Sequence, residues 1–253
     1  MIGVVIPSAG RSASLKDAVG SVEGAPTIVV DDSAEGSIVL SDATVIRSGG
    51  LQGFARSANI GLAEMERRGV ERVLLLNDDA VLAPGALVSL DAAWSEADGA
   101  LAPVLHEPGG PVYGIRVHPL GRINLARSPG PVEALSGASL LIRASERFDP
   151  VYVHGFEDIE LCRRLRGRDL RVRCIESAHC EHAAGATVSR RSRQAQRHAV
   201  HGHLRFLGGG PSGCVVVFLA LLQVIRERGP AGRLLGIMEG VGDYLRAVLL
   251  PQH

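Results

Sequence analysis

The chain has 253 residues, 46% of them hydrophobic, which is enough to bury a substantial core. Lysine plus arginine and aspartate plus glutamate balance at 27 each, so the global charge does not indicate a nucleic-acid partner. Met1 leads directly into a strand-like run, with no signal-peptide pattern, and the cysteines have no CxxC spacing. We therefore expect a cytoplasmic protein whose free thiols are Cys162, Cys174, Cys180 and Cys214.

The first hundred residues alternate short apolar runs with segments of helical periodicity. The expected strands are Ile2–Pro7, Thr27–Asp31, Thr44–Arg47 and Val73–Leu76. The expected helices are Ser14–Val22, Phe54–Arg68 and a third that has Pro84 in its first turn and carries Leu87, Leu90 and Trp94. This alternation predicts a parallel sheet covered by helices.

The pattern changes after about residue 100. Short, turn-separated segments predict an antiparallel insertion at Val112–Val117, Arg122–Ala126 and Val132–Ile142. A helix is expected over Asp158–Arg168 and a strand over Arg171–Ile175. The rest of the chain is predicted to be helical over Ser189–Leu207, Cys214–Arg228 and Arg233–Leu250.

Two acidic pairs, Asp31-Asp32 and Asp78-Asp79, each end an apolar run. Ligands bind at the carboxyl ends of strands in parallel sheets, so both pairs are expected at one binding edge. Adjacent carboxylates beside a buried strand repel each other and lose hydration. Bound Mg²⁺ or Mn²⁺ would remove that cost, although a polar turn explains Asn77-Asp78-Asp79 equally well when the segment is taken alone.

The C-terminal third contains three further features. The cluster Cys174, His179, Cys180 and His182 matches no common zinc spacing. The apolar run Cys214–Leu222 is far shorter than the roughly 20 residues of a membrane span, which favours an amphipathic helix and leaves peripheral membrane contact open. Residues 182–226 contain arginines but no Asp or Glu, which is typical either of an anion- or lipid-binding face or of a solvated helix.

Seven motifs, in this order, resemble those of family 2 glycosyltransferases of the GT-A fold, nearest in style to bacterial rhamnosyltransferase-like members. They are Val-Val-Ile-Pro-Ser-Ala-Gly-Arg at 4–11, Ile-Val-Val-Asp-Asp-Ser at 28–33, Gly-Phe-Ala-Arg-Ser-Ala-Asn-Ile-Gly-Leu at 53–62, Leu-Leu-Asn-Asp-Asp-Ala-Val-Leu-Ala-Pro-Gly-Ala-Leu at 75–87, Ser-Gly-Ala-Ser-Leu-Leu-Ile-Arg at 136–143, Gly-Phe-Glu-Asp-Ile-Glu-Leu-Cys-Arg-Arg at 155–164 and His-Ala-Ala-Gly-Ala-Thr-Val-Ser at 182–189. The resemblance implies an α/β GT-A fold, Rossmann-like, with a mostly parallel central sheet, a small antiparallel insertion and C-terminal helices. We expect a catalytic domain at 1–188, with a nucleotide-binding half at 1–100 and an acceptor and sugar half at 101–188, and a helical extension at 189–253.

The resemblance also implies a nucleotide-sugar donor site. Asp31 would accept a hydrogen bond from a pyrimidine base N–H, for which an acceptor-only carboxylate is suited. Asp32 stands where the family often has asparagine. Gly137 would permit close approach of the donor sugar, with a packing glycine as the alternative. The full set of implied donor contacts is Pro7, Ser8, Arg11, Asp31, Asn59, Asp78 and Gly137.

Metal binding and acid–base chemistry are implied for a second set of residues. Asp79 and His182 would hold Mg²⁺ or Mn²⁺, with His179 competing for the histidine role. Asp158 would be the base that deprotonates the acceptor hydroxyl, and Glu157 would position the acceptor or sugar. Helix capping explains an acidic pair at a helix start equally well without catalysis.

These expectations describe a metal-dependent inverting glycosyltransferase that uses a UDP- or dTDP-sugar and a sugar, lipid-linked or small-molecule acceptor. It would be cytoplasmic, with contact at the inner membrane face and homo-oligomer formation left open. One alternative is a sugar-phosphate nucleotidyltransferase, which would want a glycine-rich phosphate loop with a nearby lysine, whereas Ser8–Lys16 offers Gly10 and the distant Lys16. The other is a non-catalytic nucleotide-sugar-binding module.

Overall fold

The computed structural model describes residues 1–10, 13–22, 24–118, 122–153, 155–183, 193–208, 210–226 and 231–249. Its strands are β1 (Ile2–Ser8), β2 (Thr27–Asp31), β3 (Thr44–Arg47), β4 (Arg72–Leu76), β5 (Ala80–Leu82), β6 (Asp98–Glu107), β7 (Gly110–Val112), β8 (Gly114–Val117), β9 (Ile123–Ala126), β10 (Ser139–Arg143) and β11 (Arg171–His182). Its helices are α1 (Leu15–Gly20), α2 (Phe54–Arg67), α3 (Ala86–Ala93), α4 (Glu157–Arg166), α5 (Arg193–Leu207), α6 (Gly210–Arg226) and α7 (Ala231–Leu249).

The central sheet runs in the order β3-β2-β1-β4-β10-β6-β11-β5, and β7 pairs with β6 beside this path. The first four strands are parallel, as the alternating pattern predicts, and β6 and β11 are also parallel. β10 is antiparallel to both of its neighbours. β8 and β9 form a separate two-stranded sheet.

Strands β1, β2 and β4 of the parallel half are almost entirely buried, whereas β3 at the edge of the sheet is partly exposed. All of Val4, Val5, Ile6 and the residues of β2 are buried, which explains why these strands are continuous apolar runs rather than alternating ones. Helix α2 approaches β1 closely at Gly61, where an added Cβ would lie 2.3 Å from Val5 Cγ1. Glycine at this position therefore sets the distance between helix and sheet.

The structure corrects the prediction for the second half of the catalytic region. Ten residues of β6 form a strand that the sequence pattern did not predict, and the predicted insertion segment Val132–Ile142 instead supplies β10 to the central sheet. β11 continues to His182, far beyond the predicted end at Ile175. Pro84 precedes α3, which begins at Ala86, so it does not lie in the first helical turn.

The C-terminal helices form a compact unit together with two short segments of the preceding chain, Val117–Ile123 and His154–Phe156. A small core of Val200, Leu204, Val224 and Ile237 joins α5, α6 and α7. Among the described residues, no helix is both long enough and apolar enough to cross a membrane. The predicted helix limits Ser189, Arg228 and Leu250 and the predicted boundary after residue 188 lie outside the described residues.

Candidate active site

Three parallel strands end side by side at the candidate site. Ser8 at the end of β1 is in register with Asp31 at the end of β2, and the Ser8 hydroxyl donates to Asp78 Oδ2 over 2.5 Å just beyond β4. Burial, together with the neighbouring charge of Asp79, raises the pKa of Asp78 despite the hydrogen bond from Ser8. Ser8 therefore connects Asp78 to the end of β2, at the sheet edge where the two acidic pairs were predicted to lie.

Asp31 stabilises the turn that follows β2. Its Oδ1 accepts from the Ser33 amide at 3.0 Å and the Ser33 hydroxyl at 2.6 Å, and its Oδ2 accepts from the Ile38 amide at 3.1 Å. Burial favours the neutral acid, but these hydrogen bonds outweigh it and lower the pKa of Asp31. The carboxylate is thus ionised and preorganised, while base recognition by Asp31 stays a prediction.

Asp32 has a structural contact that the sequence does not reveal. Its Oδ1 accepts from the Ser48 hydroxyl at 2.5 Å and the Gln52 amide at 2.8 Å, and its Oδ2 accepts from the Gly53 amide at 3.0 Å. Asp32 therefore fixes the loop between β3 and α2 to the end of β2.

The segment 137–138 links the Asn77-Asp78-Asp79 turn to Asp158. The Asn77 amide donates to the Ala138 carbonyl at 2.9 Å, and the adjacent Gly137 amide donates to Asp158 Oδ2 at 2.9 Å. The predicted acidic turn and the predicted base thus bind two consecutive residues, Gly137 and Ala138, although Asp158 and Asp79 are 79 positions apart in the sequence.

Asp158 lies in the first turn of α4, where its Oδ1 accepts from the Ile159 amide at 2.8 Å. Burial raises the pKa of Asp158, and the hydrogen bonds from the Gly137 and Ile159 amides oppose that rise without cancelling it. A carboxyl with a raised pKa is a stronger proton acceptor once ionised, which suits a general base. Its neighbour Glu157, the first residue of α4, is buried, whereas Asp158 itself is half-buried.

His182 lies against Asp79 because β11 pairs antiparallel with β5, which places His182 opposite Ala80. Its Nε2 is 3.4 Å from Asp79 Oδ1, and its Nδ1 is 3.2 Å from Glu107 Oε1. Side chains alternate along β11, so His182 is buried whereas His179 is exposed and contacts His106, with 3.0 Å between ring nitrogens. Of the two competing histidines, His182 is therefore the one beside the acidic turn.

Glu107 and Arg127 are site residues that the sequence interpretation missed. Arg127 Nη2 lies 3.7 Å from Glu107 Oε2, and Arg127 Nη1 donates to the Gly110 carbonyl at 2.6 Å. These contacts extend the charge network from Asp79 through His182 to the hairpin of β6 and β7. Glu107 gave no signal because β6 itself was not predicted.

The carboxylates of Asp79 and Glu107 affect metal binding because they stabilise the protonated form of His182. Burial disfavours the imidazolium, but the hydrogen bonds and charges of Asp79 and Glu107 outweigh burial and raise the pKa of His182 to about 9. The metal-free protein therefore carries a protonated His182 at neutral pH, and a metal would have to displace that proton. A carboxylate oxygen and an imidazole nitrogen form an acceptable donor pair for Mn²⁺.

The pair Asp79 and His182 fits a divalent metal as a partial site. Within the part of the chain that the structure describes, no group of three or more His, Cys, Asp or Glu side chains is arranged to hold a metal ion. The remaining coordination positions would have to be filled by substrate phosphates and water, which is how Mg²⁺ is commonly bound.

The other predicted donor contacts have different outcomes. Asn59 uses both ends of its amide on the backbone of Phe148: its Nδ2 donates to the carbonyl at 2.9 Å, and its Oδ1 accepts from the amide at 2.8 Å. A Cβ added at Gly137 would lie 3.5 Å from Asp158 Cβ and from a ring carbon of Phe54, which is ordinary contact distance. Pro7 lies in β1 opposite Val30. Arg11 and residues 184–189 of the last motif lie outside the described residues. Nucleotide contact by these residues stays a prediction.

Comparison with known proteins supports the fold. No protein-family model matches the chain, and no curated protein matches it. The solved structure of GalNAc-T7 with UDP, GalNAc and Mn²⁺ matches with a TM-score of 0.61 and 14% identity, covering 80% of this chain and 47% of that one. The chain thus spans about half the length of this neighbour.

Two further solved structures have lower scores. A197 from STIV matches with a TM-score of 0.49 and 14% identity, covering 73% of this chain and 86% of that one. The inositol-1-phosphate CTP transferase from T. maritima matches with a TM-score of 0.45 and 15% identity, covering 75% and 92%. Neither score is high enough to support an argument. The likeness to GalNAc-T7 confirms the predicted α/β fold of the GT-A class, with a central sheet, a small antiparallel sheet and C-terminal helices.

Proposed function

We propose that the chain is a metal-dependent inverting glycosyltransferase of the family 2 type, which moves a sugar from a UDP- or dTDP-sugar to an acceptor hydroxyl. The observation that carries the proposal is the link through residues 137–138. Through these two residues, the backbone of the Asn77-Asp78-Asp79 turn, whose Asp79 contacts His182, is connected to the carboxyl group of Asp158. A binding fold alone requires no such pairing of a metal donor set with a base of raised pKa.

The donor half of the site follows from the strand ends. Ser8, Asp31 and Asp78 end three adjacent strands, and we assign the nucleoside to this edge. We also assign Pro7 and Asn59 to nucleotide binding. Pro7 lies within β1, and the amide of Asn59 on α2 bonds to the backbone of Phe148. Asp79 and His182 would hold the metal, which when bound supplies Lewis-acid stabilisation of the charge on the departing diphosphate.

Asp158 carries the proton transfer in the proposed reaction. The acceptor hydroxyl donates to the ionised carboxylate, and as its proton moves to Asp158 the acceptor oxygen forms a bond to the anomeric carbon. The bond from that carbon to the diphosphate oxygen breaks, and the nucleoside diphosphate leaves with the electron pair. Attack opposite the leaving group inverts the anomeric configuration. Glu157 is assigned to positioning the acceptor or sugar.

The test is product analysis with Asp158→Asn. The wild-type chain, given a UDP- or dTDP-sugar, Mn²⁺ and a panel of sugar and lipid-linked acceptors, should release nucleoside diphosphate. Asp158→Asn should bind the donor equally well, measured by thermal shift, but lose at least about a hundredfold in turnover because the base is gone. Glu160→Gln is the matched control, since Glu160 lies on the same helix in a surface pair with Arg164.

Two results would overturn the proposal. Full turnover by Asp158→Asn would show that Asp158 is not the base. Release of pyrophosphate from a nucleoside triphosphate and a sugar phosphate would identify a nucleotidyltransferase instead.

A further inference from the structure

Helix α6 has an apolar face directed to solvent. Its exposed large hydrophobic residues recur every three or four positions, which places them along one side of a helix. Phe218 is 59% exposed and Ile225 is 65% exposed. The complete stripe consists of Val215, Phe218, Leu219, Leu222 and Ile225. Other apolar residues of α6, including Val217, Leu221 and Val224, pack into the small core of the helical unit, so α6 is apolar on two sides.

Helix α7 of the same unit also exposes apolar side chains, at Leu235, Met238, Leu245, Val248 and Leu249. A solitary exposed leucine needs no explanation, but two neighbouring helices with ten exposed large hydrophobic residues indicate an interaction surface.

The charge of these helices identifies the kind of surface they fit. The whole chain is neutral, yet α5, α6 and α7 together carry six arginines and two acidic residues. The two acids are already paired, Glu239 with Arg193 and Asp243 with Arg197 at 2.5 Å. Arg233 is buried, but the helical unit still carries a net positive charge in addition to its exposed apolar side chains.

We propose that this helical unit docks on an anionic lipid surface, with α6 lying in the headgroup region and its apolar stripe inserted toward the acyl chains. The uncharged stretch from Gly210 to Ile225 is about 24 Å long as a helix, too short for the roughly 30 Å hydrocarbon core. Arginines near such a helix add electrostatic attraction to anionic headgroups. A second copy of the chain would bring a like-charged unit to the same face, which repulsion disfavours.

The proposal goes beyond the proposed function and is tested independently of it, because the test uses no sugar donor. The full chain is mixed with phosphatidylcholine vesicles that do or do not contain phosphatidylglycerol, and the bound fraction is measured by co-sedimentation. Binding should require the anionic lipid and weaken as salt is raised. The double variant Phe218→Ser/Ile225→Ser should bind at least about tenfold more weakly, since it removes two inserted apolar side chains.

The matched control is Val88→Ser, because Val88 is 72% exposed on α3, outside the helical unit. This variant should bind vesicles like the wild type, and circular dichroism should show that both variants remain folded. Absence of binding to anionic vesicles, or equal binding by the double variant, would overturn the proposal. Light scattering could instead show that the wild type is a dimer and that Phe218→Ser/Ile225→Ser is a monomer. The stripe would then bind a second copy of the chain, and this result would also overturn the proposal.

Discussion

The imidazole of His182 is held between Asp79 and Glu107, and this arrangement makes a prediction about pH. The pKa of His182 is raised from 6.5 to about 9, so the folded protein binds a proton there more tightly than the unfolded chain does. The resulting stabilisation, at most about 3 kcal/mol, is fully present below pH 6.5 and is lost as the pH rises through about 9. Glu107→Gln should lower the pKa of His182 and shrink this pH dependence.

The measurements for this prediction are an NMR titration of the His182 ring and denaturant unfolding across the same pH range, both on metal-free protein. His179→Gln is the control, because His179 is exposed and contacts His106 instead. An unchanged His182 titration in Glu107→Gln would show that Asp79 alone holds the proton.

Single residues also show where sequence interpretation reaches its limit. Asp79 and His182 were predicted as one site from family resemblance, and the structure places them 3.4 Å apart. Asn59 was predicted beside the nucleotide, which stays a prediction, and the structure shows a contact that the sequence did not reveal: its amide pairs with Phe148, 89 positions away. A polar residue in the sequence indicates that hydrogen-bond partners are needed, but the partners themselves depend on the fold.

At the scale of elements, the packing of α7 against α5 depends on Gly236 and Gly240. A Cβ added at Gly240 would lie 2.5 Å from the Arg197 carbonyl oxygen, a backbone atom that cannot move without shifting α5. Gly240→Ala should therefore destabilise the helical unit by about 1–3 kcal/mol, even though alanine favours helix by about 1 kcal/mol over glycine.

A matched control for this prediction lies in the same helix. A Cβ at Gly242 would meet only the flexible end of Arg246 at 3.8 Å, so Gly242→Ala should be neutral or stabilising. Denaturant unfolding of the two variants, followed by circular dichroism, checks the difference. Equal stability would mean that α7 does not approach α5 as closely as the structure indicates.

The elements whose ends the sequence patterns predicted best are those bounded by clear turn residues. Both β2 and β3 have the predicted ends, because each lies between clear turn residues. β6 was missed because Gly99 and Pro103 disrupt the pattern of a strand. Its register with β11 shifts between Ile175 and His179, beside Pro103, and proline in sheets is typical of such irregularities. Gly99 makes room for Leu170, whose Cβ would lie 2.9 Å from an added Cβ.

At the scale of the whole molecule, the class of fold followed from strand and helix alternation, whereas the order of the second half of the sheet did not. β10, β6 and β11 join the sheet through mixed pairings between segments far apart in sequence. Local periodicity contains no information about such pairings. The resemblance of ordered motifs did not supply these pairings either, but it implied the class of fold, and the likeness to GalNAc-T7 agrees with that class.

Ligand linkage tests the proposed donor site in the intact chain. A ligand that binds only the folded state stabilises it by about 2.7 kcal/mol at a concentration about 100 times its Kd. We expect UDP or dTDP to raise the Tm when Mn²⁺ is present and to have little effect without it, because Asp79 and His182 supply only part of a metal site and the diphosphate completes it. Asp79→Asn should abolish the Mn²⁺-dependent part of the shift.

Asp91→Asn is the control for this experiment and should leave the shift unchanged, since Asp91 lies on α3 and pairs with Arg72 of β4. A Mn²⁺-dependent shift that survives in Asp79→Asn would move the metal to other residues. A wild-type Tm that no pyrimidine nucleotide raises would contradict the assignment of the nucleoside to the ends of β1, β2 and β4. Loss of the shift in Asp79→Asn alone would tie donor binding to the carboxylate that His182 contacts.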